Sequence, residues 1–130
     1  MNYEEALAFI HGRVGYGKKL GLENMRRLLR RLGNPQEAFC SLHVAGTNGK
    51  GSVCAFAASA LRAAGHRVGL YTSPYLMRYN ERMQIDGRPI PDERLAQLTA
   101  EVAEQIAQME AAGEGVPTIF ETGTAIAFLY

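Results

Sequence analysis

A glycine-rich turn with a single lysine, residues 43–52, is the part of the chain best suited to chemistry. It reads His-Val-Ala-Gly-Thr-Asn-Gly-Lys-Gly-Ser and joins an apolar segment to an alanine-rich one. Consecutive backbone N–H groups in such a turn can surround an anion, and glycines leave room because they lack a Cβ atom. Lys50 can reach the outer phosphates of a nucleotide, and Ser52 can reach Mg²⁺ or a phosphate oxygen. The pattern therefore predicts a binding site for a nucleoside triphosphate.

The turn departs from the common phosphate-loop pattern at two positions. That pattern would require a glycine at Val44 and a hydroxyl residue at Gly51. Here Gly46 opens the turn and the hydroxyl comes one residue later. We therefore predict a variant loop with its own geometry; the alternative is a glycine-rich turn with an incidental lysine. The flanks favour the loop, because residues 39–45 suit a buried strand and residues 53–64 suit a helix.

Helices and strands alternate along the chain, which predicts an α/β fold with a phosphate-loop parallel sheet flanked by helices. The patterns predict helices over 3–10, 22–32, 53–64, 92–112 and 121–130, strands over 39–45, 67–72 and 117–120, and a glycine-rich link over 11–21. The strand, helix and strand between 39 and 72 would form one right-handed crossover. The Asp86-Gly87 pair predicts a hairpin turn. The helix over 92–112 has an apolar stripe that predicts core packing.

Composition and charge exclude several classes of protein. The chain has 130 residues, of which 47% are hydrophobic, and this suits one domain with a real core. Its net charge of +1 gives no electrostatic reason to expect nucleic acid or a membrane as partner, and we interpret four arginines between 26 and 31 as a solvated helix face. No apolar run approaches the length of a membrane span. Cys40 and Cys54 lie in a sequence without a secretory signal, which predicts reduced thiols and a cytoplasmic location.

Three segments of the chain resemble the amino-terminal part of folylpolyglutamate synthase and its bifunctional relative dihydrofolate synthase, in the Mur-ligase superfamily. They read GLENMRRLLRRLGNPQ, GTNGKGS and GLYTSPYLMRYNERMQIDG. The resemblance runs in order from about Leu20 to Tyr130. GTNGK alone points to the superfamily, whereas GKGS together with residues 71–74 and 80–82 points to its folate branch.

The resemblance implies that the sequence is a piece of a longer protein. The last apolar pattern, residues 121–130, has no stop signal, and family members are several times longer. We expect residues 1–130 to form the N-terminal portion of the ATP-binding domain, the central domain of a Mur ligase. The rest of that domain and a C-terminal glutamate-binding domain would be absent. Such a piece would be inactive and would self-associate through uncovered faces, whereas the complete protein is expected to be a monomer.

The activity that the resemblance implies is ATP-dependent amide formation. The carboxylate of a folate or of dihydropteroate would attack the γ-phosphorus of ATP, and the amine of L-glutamate would displace phosphate from the acyl phosphate. Mg²⁺, a lysine and backbone amides would neutralise the charge that develops. One alternative is a Mur-type ligase that joins an amino acid to a different substrate. Another is a nucleotide-binding module without chemistry of its own.

The resemblance also implies roles for individual residues. Lys50 would be the catalytic residue, and Ser73 and Ser52 would bind Mg²⁺ together with a carboxylate from downstream. The ATP-binding residues would be those of the loop, namely Gly46, Thr47, Asn48, Gly49, Lys50, Gly51 and Ser52. The folate pocket would include Tyr75, Arg82, Phe120 and Glu121.

Several of these residues also have a purely structural interpretation. Ser73 suits an ordinary turn before Pro74, and residues 80–82 suit a hydrogen-bonded loop. Glu121 suits the cap of the helix that begins near it. For Tyr75, in contrast, the interpretation is functional, because its aromatic ring could stack on a pterin.

Overall fold

The part of the chain that the structure describes, residues 1–13 and 21–130 of a computed structural model, contains five α-helices and three short strands. They are α1 (Tyr3–Gly12), α2 (Glu23–Arg31), α3 (Lys50–Ala63), β1 (Gly69–Tyr71), β2 (Met83–Ile85), β3 (Arg88–Pro89), α4 (Asp92–Ala111) and α5 (Ile119–Leu129). Most of the predicted link over 11–21 lies outside the described residues. Within those residues, none of the helices combines the length and the hydropathy that a membrane span requires.

The chain divides into two compact units, and the first comprises Met1–Phe39 and Asp92–Tyr130. Its four helices α1, α2, α4 and α5 pack on one another. The apolar stripe of α4 is buried as predicted, with Leu95, Leu98, Val102, Ile106 and Met109 all in the core. Ile10 of α1 and Leu28 of α2 are fully buried as well. The core of this unit is therefore made by helix faces whose apolar residues recur at helical spacing.

The basic face of α2 is partly paired rather than wholly solvated. Nε and Nη2 of Arg31 lie 3.0 Å and 2.9 Å from Oε2 of Glu114, in the connection between α4 and α5. Arg27 donates from Nη1 to the carbonyl oxygen of Glu114 at 2.5 Å. Arg26 and Arg30 are exposed, as the sequence predicts. These contacts tie α2 to that connection, although exposed ion pairs add little to stability.

The second unit, Cys40–Pro91, contains α3 and an antiparallel sheet with the strand order β1-β2-β3. The turn between β2 and β3 has φ angles of 50° at Asp86 and 77° at Gly87. Two positive φ angles in a two-residue turn match the twist of a hairpin, which is why Asp-Gly favours it. The Asp86 carboxylate also accepts a hydrogen bond from the backbone N–H of Val68 at 2.8 Å. The predicted hairpin is confirmed.

Two predicted strands are not strands in the structure. Residues 39–45 have no regular secondary structure, and Leu42 is 70% exposed. Residues 117–120 instead lead into α5, because Thr118 caps the helix that begins at Ile119. A strand exists only through its hydrogen-bonded neighbour, and an apolar run does not show which neighbour it has. The α/β class is retained, but the predicted parallel crossover between 39 and 72 does not form among the described residues.

Candidate functional site

The predicted phosphate loop is a turn shaped by glycine that leads directly into α3. Gly46 and Gly49 have φ angles of 151° and 78°, which residues with a Cβ atom rarely adopt. Gly49 is also the N-cap of α3, and no side chain caps this helix end. The first N–H groups of a helix have no partner within the helix, so here they can bind an anion.

The Lys50 side chain folds back onto this turn. Its Nζ donates to the carbonyl oxygen of Gly46 at 2.6 Å and to that of Thr47 at 3.3 Å. An ammonium has three N–H donors, so one donor is left for a ligand. Lys50 is exposed, and a phosphate can therefore reach the ammonium without disturbing a core.

The loop glycines have open space around them. A Cβ atom added at Gly46, Gly49 or Gly51 would meet no described atom within 4 Å, apart from the chain neighbours of each glycine and the backbone of its own helix. Backbone conformation requires glycine at the first two positions, but Gly51 has no positive φ angle. Neither packing nor backbone geometry therefore explains Gly51, and close approach of a ligand would explain it.

Ser73 follows the carboxyl end of β1 as predicted and is exposed. The peptide bond between Ser73 and Pro74 is cis. The N–H of Thr72 donates to the carbonyl oxygen of Arg82 at 3.0 Å, which extends the sheet pairing to the residue before Ser73. β1 packs against α3 in the same unit. The backbone that leads to this serine is therefore held by the sheet.

Hydroxyl oxygens are the only predicted metal ligands in the second unit. Ser52 lies exposed in the first turn of α3, and Ser73 lies exposed after β1. Among the described residues, no group of three or more His, Cys, Asp or Glu side chains could hold a metal ion. Mg²⁺ prefers phosphate oxygens, carboxylates and water. The two serines therefore fit an ion that is held mainly by nucleotide phosphates.

Glu81 organises the backbone that follows the cis peptide bond. Its carboxylate accepts hydrogen bonds from the N–H groups of Leu76 and Met77 at 2.9 Å and of Arg78 at 2.7 Å. The bonds from Leu76, Arg78 and Met77, together with the charge of Arg78, hold the pKa of Glu81 below its ordinary value. The structural interpretation of this residue, a hydrogen-bonded loop, is supported.

Arg82 lies over two tyrosine rings. Its guanidinium carbon lies 5.7 Å from the ring centroid of Tyr71 and 5.3 Å from that of Tyr79. The ring of Tyr75 meets that of Tyr79 edge-on at 5.7 Å. Burial raises the pKa of Tyr79 to about 12 although the charge of Arg82 lowers it, so this phenol is neutral near pH 7.

The predicted pocket residues Tyr75 and Arg82 thus belong to one aromatic cluster. The cluster also contains Tyr71 and Tyr79, and Tyr71 lies in the strand predicted over 67–72. The sequence offers no signal for the cluster beyond the density of tyrosines between 71 and 79.

The other two predicted pocket residues lie in the first unit, at the start of α5. The N–H of Glu121 donates to Oγ1 of Thr118 at 3.1 Å, and the N–H of Thr118 donates to Oε2 of Glu121 at 2.8 Å. This reciprocal pair is a capping box. Glu121 therefore has the structural role of a helix cap, which the sequence analysis gave as the alternative to a place in the folate pocket. Phe120 is 57% exposed. The structure brings these two residues together at one helix end.

Replacing Thr118 with alanine is expected to lower the free energy of unfolding by about 1 kcal/mol, because the box loses its N-cap acceptor. Urea denaturation followed by circular dichroism measures this. Thr124→Ala, on the same helix, is the matched control, since its hydroxyl donates to the carbonyl oxygen of Phe120 one turn earlier and is not the N-cap acceptor. An equal loss in both variants would contradict the assignment of the cap.

Comparison with known proteins shows where the chain belongs. No family model matches it. It is 45% identical over 128 residues to the dihydrofolate synthase/folylpolyglutamate synthase of Bacillus subtilis, covering 98% of this chain and 30% of that protein. The solved folylpolyglutamate synthetase of Lactobacillus casei matches with a TM-score of 0.91 at 42% identity, covering 100% of this chain and 33% of that one. An FPGS–AMPPCP–folate complex matches with a TM-score of 0.88 at 42% identity, covering 100% and 32%.

The fold and the turn thus define an incomplete α/β protein with a glycine-rich turn before α3. The chain belongs to the folylpolyglutamate synthase/dihydrofolate synthase family, as its motifs predict. It spans about a third of the length of the Bacillus subtilis and Lactobacillus casei proteins.

Proposed function

We propose that residues 1–130 are the N-terminal, ATP-binding portion of a ligase that adds L-glutamate to a tetrahydrofolate, to dihydropteroate or to both. The observation that carries the proposal is the glycine turn with Lys50 folded over it, in a chain of this family. The relatives support the nucleotide and the substrate, because one solved structure is a complex with AMPPCP, an ATP analogue, and folate.

The loop residues would bind the triphosphate through main-chain donors and one ammonium. N–H groups of Gly46–Ser52 would surround the phosphate oxygens, and the third donor of Lys50 would face the group that is transferred. Ser52 and Ser73 would hold Mg²⁺ together with phosphate oxygens of the nucleotide. When bound, the ion would neutralise part of the phosphate charge.

The reaction would then proceed in two steps. An oxygen of the substrate carboxylate forms a bond to the γ-phosphorus while the bond from that phosphorus to ADP breaks. The amine of glutamate next attacks the acyl carbon, and phosphate leaves while the amine gives its proton to solvent or a base. Lys50 would act in the first step, because its ammonium would stabilise the negative charge on the transferred phosphoryl group and the departing ADP.

We also propose a cytoplasmic location, a monomeric complete protein and self-association of the isolated chain. The cysteines Cys40 and Cys54 are both free thiols, which supports a reducing compartment. Helix α3 has no buried residue, and Phe56 on it is 75% exposed. An exposed apolar helix face favours association of copies, which sedimentation at increasing concentration would detect.

The function is tested in a protein of the relatives' length that contains this chain. It is incubated with ATP, L-glutamate and either tetrahydrofolate or dihydropteroate, and the products are separated by mass. A product heavier by one glutamyl residue, with one ADP per product, is expected. ATP binding without product would support the nucleotide-binding module, and ligation only to a substrate without a pterin would support the wider Mur-type ligase. The isolated chain is expected to give no product.

A further inference from the structure

The segment that follows Ser73 presents apolar side chains to solvent at a single place. Leu76 is 89% exposed and Met77 is 85% exposed, while the neighbouring Tyr75 is 38% exposed. Exposed apolar side chains gain no fixed position from core packing. Their backbone must therefore be held by other contacts if they are to form a defined surface.

A single carboxylate supplies those contacts. Oε2 of Glu81 accepts from Leu76 N–H, and Oε1 accepts from both Met77 and Arg78 N–H, at 2.7 to 2.9 Å. Three successive N–H groups that converge on one anion form a nest. The anion here is part of the protein, so both carboxylate oxygens serve to fix the path of the chain.

The residues beside Glu81 are anchored to the rest of the second unit. Asn80 is 2% exposed, and its Nδ2 donates to the carbonyl oxygen of Ile90 at 2.7 Å. On the other side, the carbonyl oxygen of Arg82 accepts from Thr72 N–H at 3.0 Å. Glu81 therefore has a fixed backbone on both sides, and it transmits that position to residues 76–78.

We propose that Glu81 is a positioning residue for the pterin-bearing substrate, acting through the backbone of residues 75–78. It holds Tyr75, Leu76 and Met77 as one apolar and aromatic surface beside Ser73, against which a flat ring system can lie. Its carboxylate touches the loop and not the substrate. This proposal rests on the proposed function for the identity of the substrate, but not for the role of the carboxylate in the loop.

Amide hydrogen exchange in the chain itself tests the role in the loop. The amides of Leu76, Met77 and Arg78 are expected to be protected in the unaltered chain and to lose that protection in Glu81→Ala. Glu81→Gln is expected to keep part of it, because the side-chain amide retains one acceptor oxygen. Glu101→Ala, an exposed carboxylate on α4, serves as control and should change nothing. Unchanged protection in Glu81→Ala would overturn the proposal.

The pH dependence provides a readout that simple loss of packing would not give. Because the pKa of Glu81 is lowered in the folded chain, its hydrogen bonds stabilise the loop fully above the ordinary pKa of a glutamate. This stabilisation is lost as the pH falls through the lowered value. Arg78 is the charged group that acts on this carboxylate, and an arginine side chain is not deprotonated in proteins. Protection of the three amides should fall at low pH in the unaltered chain and be independent of pH in Glu81→Gln; equal pH dependence in both would contradict the proposal.

Kinetics in a protein of the relatives' length test the role toward substrate. Glu81→Ala is expected to raise KM for the folate substrate about tenfold while KM for ATP stays within about twofold, and Glu81→Gln should restore most of the difference. An equal rise in both KM values would overturn the proposal, because it would indicate general loss of structure. If the unaltered protein forms no glutamyl product, the proposed function fails, and the exchange experiment still decides whether Glu81 holds the loop.

Discussion

Replacing Lys50 with alanine is expected to lower kcat/KM for ATP by about 10²- to 10³-fold, or about 3–4 kcal/mol in the barrier, in a ligase that contains this chain. The substitution removes the only lysine among the described residues. The loop then lacks the N–H donor that would face the transferred phosphoryl group. The fold should survive, since Lys50 is exposed and its two hydrogen bonds go to carbonyls of the same turn. Steady-state kinetics and circular dichroism together measure both effects.

Two further variants separate charge from position in this prediction. Arg94→Ala removes one exposed positive charge from α4 and should leave the rate unchanged. Lys50→Arg keeps the charge but replaces a compact ammonium with a planar fork, so it should recover only part of the rate. Substantial turnover in Lys50→Ala would count against the assignment of the catalytic residue.

Replacing Gly49 with valine is expected to abolish measurable nucleotide binding and to destabilise the second unit by about 1–2 kcal/mol. A β-branched residue at a φ angle of 78° is strained, and relief of that strain would turn the first N–H groups of α3 away from the loop. Isothermal titration with ATP and urea denaturation measure the two losses.

Gly51→Ala is the matched variant for this experiment. An added Cβ atom there meets no described atom beyond its chain neighbours and the backbone of its own helix, and the φ angle is not positive, so stability should be unchanged. Nucleotide affinity should still fall, because the methyl group stands where a phosphate would approach. If Gly49→Val bound ATP as tightly as the unaltered protein, the loop geometry described above would have no role in binding.

The helices could be predicted from the sequence because their signals are local. The apolar stripe of α4 repeats at helical spacing, and α2 ends where Gly33 and Pro35 stop it. The hairpin could be predicted for the same reason, since Asp86-Gly87 alone suits the turn. The strand predicted over 39–45 failed because pairing is not local: an apolar run has the same composition whether or not a neighbour bonds to it.

In the candidate site, too, features with a local sequence signal could be predicted, and features that depend on the path of the chain could not. The glycines of the loop could be identified from their spacing, whereas the return of Lys50 to the carbonyls of Gly46 and Thr47 depends on the path of the turn. The nest around Glu81 requires three amides to converge, and no residue type signals that. Glu121 illustrates the reverse case, because Thr118 three residues before it is a capping-box spacing that the sequence already contained.

Residues 46–52 are proposed to bind the phosphates of a nucleotide. A titration of the ¹⁵N-labelled chain with Mg²⁺ and ATP, followed by amide chemical shifts, tests this proposal directly and detects even weak binding. The largest shifts are expected at Gly46, Gly49, Gly51 and the first turn of α3, and they should vanish in Lys50→Ala. Shifts confined to other parts of the chain, or none at these amides at millimolar ATP, would contradict the proposal.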